Sequence, residues 1–108
     1  MAFPDTWNAL QASLTAGTSI PNWTVHSGVI ADPFTIAAVT ATAVVIDTPG
    51  AETPQTVPLA DFQTVYDRWN DYRHGAMPRS DFTRLTRYSK YVISILYWLE
   101  GHSGGRLP

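Results

Sequence analysis

Five cationic side chains, Arg73, Arg79, Arg84, Arg87 and Lys90, are interleaved with Tyr72, Tyr88 and Tyr91. Guanidinium forks bind phosphate through paired hydrogen bonds, and aromatic faces stack on nucleobases. If these residues share one exposed face, they form an anion- or nucleic-acid-binding surface. The plainer expectation is a solvated helix face whose tyrosines turn inward. The chain as a whole is acidic, with a formal net charge of −2, whereas nucleic-acid binders are mostly basic. A second set, Trp7, Tyr66, Trp69 and Trp98, is suited to line an aromatic pocket between helices and sheet. The same residue types, with arginine, are favoured at protein interfaces.

The remaining chemical patterns are weaker. Gly101-His102-Ser103-Gly104-Gly105 fits the expression G-x-S-x-G, but a nucleophile elbow needs a strand before the serine and a helix after it. Here a helical pattern precedes the serine. His26, His74 and His102 lack the close spacing that announces a metal site. Asp67 and Asp71 are four apart, which suits carboxylate chemistry if they are buried. Arg68 beside them favours ordinary surface pairing. Asn22-Trp23-Thr24 fits a glycosylation sequon, yet no secretion signal precedes it. No cofactor motif and no catalytic constellation stands out, so the expectation is a non-enzymatic binding protein.

These residues need elements to hold them. At 108 residues the chain is long enough for one domain with a real core. It has no cysteine, so disulfides and thiolate metal sites are excluded. Its apolar runs are too short to span a bilayer as helices, and a cytoplasmic location without membrane contact is the expectation. Charge is unevenly spread. Residues 1–67 hold no Lys or Arg but six acids, whereas residues 68–90 hold Arg68 and the five cations above against Asp71 and Asp81. Such asymmetry suits an anionic partner or attraction between two copies.

Periodicity places the elements. Phe62, Val65, Tyr66, Trp69 and Tyr72 recur at helical spacing, predicting a helix over 61–74 with Asp61 as N-cap and Gly75 as its stop. From Ser80, which is expected to cap Asp81-Phe82-Thr83, the residues Phe82, Leu85, Tyr88, Val92, Ile95 and Leu99 continue a helical pattern ended by Gly101, with a break expected between Thr86 and Ser89. Tyr91, Leu96 and Trp98 widen its apolar face, so residues 90–99 belong at the core centre. Trp7, Leu10 and Leu14 predict a short helix over 4–15, capped by Asp5 or Thr6. Four strands are expected between the helices, at 22–26, 34–39, Ala43–Asp47 and 56–59, with Pro58 at an edge. Short connections imply an antiparallel meander, and strands grouped between helices imply α+β. The domain is expected to cover residues 1–101, with 102–108 a flexible tail.

Two runs, Val57-Pro58-Leu59-Ala60-Asp61-Phe62-Gln63-Thr64-Val65-Tyr66-Asp67-Arg68-Trp69 and Arg87-Tyr88-Ser89-Lys90-Tyr91-Val92-Ile93-Ser94-Ile95-Leu96-Tyr97-Trp98-Leu99, carry a resemblance, with Asn22-Trp23-Thr24 and the start of the second strand. They resemble small uncharacterised bacterial proteins of the kind encoded by mobile integron gene cassettes. The resemblance implies no activity and no cofactor. The expected function is therefore a binding module, acting through a protein partner or as a homo-oligomer. Nucleic acid bound by the cationic residues, or a small molecule in the aromatic pocket, are the alternatives.

Overall fold

The computed structural model describes residues 3–25, 27–105 and 107; the side chains of Ile30, Ala31 and Arg79 fall outside that description. The chain runs α1 (Phe3–Ser13), β1 (Ser19–Thr24), β2 (Gly28–Val39), β3 (Ala43–Asp47), β4 (Gln55–Pro58), α2 (Leu59–Tyr66), α3 (Trp69–Arg73), α4 (Arg79–Thr83) and α5 (Ser89–His102). The strands form one antiparallel meander in the order β1-β2-β3-β4. Helices pack on one face of it. The α+β class and the four-stranded meander are as the sequence predicts.

Alternation sets the sheet's two faces. Val44 and Ile46 on β3 are fully buried, and so is Val57, which faces Val44 from β4. Val45 and Asp47 take the other face. On β2, Phe34 and Ile36 point into the core. A register shift between Ile36 and Ala38 then inserts one residue. Strand side chains alternate, so one extra residue reverses the faces beyond it. Val39 thereby lies opposite buried Val44 and packs on the core. Further shifts in the β1–β2 ladder flank Asn22. They accommodate Pro33, which has no amide to donate within a paired strand. The Asn22 amide nitrogen donates instead to the Asp32 carbonyl.

Helix α5 lies across the core. Val92, Ile93, Ile95, Leu96 and Leu99 are buried with Leu10, Ile20, Phe62, Val65 and Phe82 around them. Fully burying one such side chain contributes about 1.5–3 kcal/mol, so α5 carries much of the fold's stability.

Several predicted boundaries move. The helix expected over 61–74 is two helices, because Arg68 leaves helical geometry at φ −118° and ψ 11°. Periodicity cannot show this, since the apolar spacing runs unbroken across the break. The expected caps also shift: α2 starts after Pro58 and α4 after Pro78, without side-chain caps. Proline suits the place before a helix, where no amide donor is required. Asp61 and Asp81 instead lie in first turns, where the helix dipole favours a carboxylate. The break before Ser89 falls where expected.

Gly75 stops α3 as predicted. Its φ is +78°, its amide donates to Tyr72, and the Ala76 amide donates to Asp71, a Schellman closure. Gly101, in contrast, does not end α5. The helix continues to His102, and Gly104 at φ +80° makes the turn, with the Gly105 amide bonded to the Glu100 carbonyl. Leu107 packs against the core. Among the described residues, no helix is long and apolar enough to cross a membrane.

Candidate binding groove

The C-terminal half of α5 and the turn after it carry a second stripe beside the buried one. Ser94, Tyr97, Trp98, Gly101 and His102, in alternating steps of three and one, and Gly105 beyond the helix end all border one groove of about 460 Å³. Pro21 of β1 and Arg73 of α3 form the opposite wall. The volume falls in the range of small-ligand sites.

The wall is built in layers. Trp23 and Tyr97 stack face to face, with centroids 3.7 Å apart and planes 4° from parallel. Trp23 is buried, whereas Tyr97 is 38% exposed. The Arg73 guanidinium carbon sits 5.2 Å from the Trp23 centroid and 5.5 Å from that of Tyr97. Almost equidistant from two parallel rings, it lies beside the stack, against the ring edges. Ser94 fixes the stack from below: its Oγ accepts the Trp23 amide at 3.0 Å and donates to the Lys90 carbonyl.

Glu100 anchors the arginine. Its Oε1 accepts from Arg73 Nη2 at 2.7 Å and Nε at 3.1 Å, and its Oε2 accepts from Trp69 Nε1 at 2.9 Å. The carboxylate side chain is only 9% exposed, and that of Arg73 is 31% exposed. A carboxylate in the last turn of a helix opposes the dipole. The bidentate arginine and the indole donor offset that penalty. His102 stands at the groove's end, 4.1 Å from the Trp98 ring centroid. Its Nδ1 is 2.8 Å from the Trp98 carbonyl. A carbonyl only accepts, so Nδ1 carries the hydrogen and Nε2 of the neutral ring is left as an acceptor. A second depression of about 320 Å³ shares Arg73, Glu100 and Gly105 with the groove and is also lined by Asn70 and His74.

The predicted residues divide between locations. Trp69 and Trp98 both serve this region, one as Glu100's donor and one as lining. Trp7 and Tyr66 do not border the groove. They pack with Phe62 and Phe3 respectively, and Trp7 Nε1 donates to the Ala41 carbonyl. Those are core and tethering roles.

The cations separate too. Arg73 is held by Glu100 near the end of α5. Lys90 lies at its beginning, about 15 Å away along the helix axis at 1.5 Å per residue. Arg84, Arg87 and Lys90 are exposed; Arg87 rests on Tyr88 and Lys90 on Tyr91, each 4.9 Å from the ring centroid. Lys90 also borders a cavity of about 250 Å³ with Asp32 and Tyr91. The side chain of Arg79 lies outside the description.

The weaker motifs gather no chemistry. Ser103 follows a helix, at the C-cap of α5. Asp67 and Asp71 are exposed and belong to different sides of the helix break. His26 lies outside the described residues. Among the described residues, no group of three or more His, Asp or Glu side chains is placed to hold a metal ion. Compared with family models, curated proteins and solved structures, the chain matches none.

Sequence reading missed Trp23, Tyr97, Glu100 and Gly101 as members of one site. The stripe from Ser94 to Gly105 was a signal available in the sequence. The pairing of Arg73 with Glu100 and of Trp23 with Tyr97 joins distant segments, and no local pattern announces it.

Proposed function

We propose that the protein is a binding module that engages a protein partner through the groove at the end of α5. One observation carries this reading: a groove lined by Tyr97 and Trp98, with a half-buried arginine held by Glu100 beside an aromatic stack, presented by packed elements. Tyrosine, tryptophan and arginine dominate the energetics of protein interfaces. Side chains already locked by hydrogen bonds lose little freedom on binding. The resemblance to integron-cassette proteins adds no activity to this reading. The test is a titration of isotope-labelled protein with indole, followed by amide and indole NMR signals. Shifts should concentrate at Arg73, Tyr97, Trp98, Gly101 and His102. Shifts confined to other surfaces, or none at millimolar indole, would count against it.

A second reading rests on the exposed cations Arg87 and Lys90, each set against a half-buried tyrosine, Tyr88 and Tyr91. It is nucleic-acid binding by Arg84, Arg87 and Lys90, without Arg73. Three phosphate contacts give a log–log salt slope of only about −2 to −3. Fluorescence anisotropy with labelled single-stranded DNA at two salt concentrations measures it, and no binding at low salt would remove it.

A further inference from the structure

On the reading that the groove is the binding site, we infer that its occupant is the C-terminal end of a partner chain, an aromatic residue with its free carboxylate. The guanidinium of Arg73 carries five N–H donors. Glu100 takes the side formed by Nε and Nη2. Nη1 donates to no described residue, and 31% of the side chain is exposed. The end-on fork of Nη1 and Nη2 is therefore open to a second carboxylate, in the bidentate geometry that arginine favours. The bonds from Nε and Nη2 to Glu100 orient the guanidinium in advance.

The anion is a carboxylate on grounds of charge. Glu100 already neutralises Arg73, so the pair offers directed donors without a net positive charge. A doubly charged phosphate draws its affinity from net charge; a carboxylate needs only the fork. The neighbouring Tyr97 and Trp98 supply aromatic contact for a side chain beside that carboxylate.

The source is a chain end on grounds of shape. Sites for free small molecules enclose most of the ligand, whereas this groove is partly open to solvent. Its lining includes Gly101 and Gly105, which have no side chains to hold a backbone away. Gly101 is helical and has no need of glycine's backbone freedom: its φ is not positive, and an added Cβ would meet nothing within 4 Å. A glycine inside a helix costs about 0.5–1 kcal/mol relative to alanine. At this position the fold gains nothing in return, but the groove stays clear.

The test uses the full chain, isotope-labelled, titrated with acetyl-Gly-Gly-Trp as the free acid and as its C-terminal amide, and with indole-3-acetate. The acid is expected to shift the signals of Arg73, Trp98, Gly101 and the indole N–H of Trp69. It should bind at least roughly tenfold more tightly than the amide, as a charged hydrogen-bonded pair implies. It should also bind more tightly than indole-3-acetate, and Gly101→Trp should abolish its binding in a folded variant. Equal affinities for acid and amide would overturn the carboxylate inference and leave the groove reading standing. Failure of both peptides would overturn both. Indole-3-acetate binding as tightly as the acid would overturn the chain end as source. Undiminished binding to Gly101→Trp would place the peptide elsewhere and overturn the inference.

Discussion

Arg73 and Glu100 hold each other in place, and each is costly without the other. Removing the arginine leaves a buried carboxylate with Trp69 as its remaining side-chain donor. Breaking a fully buried pair costs about 3–5 kcal/mol. Arg73 is partly exposed, so Arg73→Ala should cost less than that range, about 2 kcal/mol by urea denaturation. Adding Glu100→Gln to it should recover part of the loss, because the stranded charge is gone; a double-mutant cycle reads this directly. At Gly101 the expectation has the opposite sign. Gly101→Ala should raise Tm by a few degrees, since the gain of up to about 1 kcal/mol in helix propensity meets no clash. A lowered Tm would mean that the lining of the groove is under strain.

At the scale of elements, Ser94 ties α5 to the strand it covers. Ser94→Ala strands the Trp23 amide, so a loss of about 1–2 kcal/mol is expected. Hydrogen exchange of that amide should accelerate beyond what the global loss explains; unchanged relative protection would show that the tie is dispensable. Elements were also what the sequence displayed best. The β-branched run of Ala43–Asp47 specified its strand to the residue, and the apolar spacing of residues 92–99 specified a buried helix. Boundaries were harder. The α2–α3 break leaves the apolar period intact, so nothing local marks it, and two prolines replaced the expected polar caps. The site was half visible. Arg73, Trp69 and Trp98 stood out by residue type. Their partners Glu100, Trp23 and Tyr97 became meaningful only when the fold brought segments 27 to 74 positions apart into contact.

For the whole molecule, both sheet edges are protected. On β1 the Trp23 and Val25 amides are taken by Ser94 and Tyr72, and Pro21 has none to offer. β4 is four residues long and ends in Pro58. Short, proline-bearing or covered edges resist strand addition. Pairing of two copies edge to edge is thus disfavoured, and a monomer is expected by light scattering at high micromolar concentration. A stable dimer would redirect the search to a second copy as the groove's partner. The direct measurement is indole titrated against the labelled protein and against Gly101→Trp, compared by NMR. Shifts around Arg73, Tyr97 and Trp98 are expected in the first and their loss in the second, with the fold intact. Identical shifts in both proteins would contradict this, because the groove could then not be where the ligand sits.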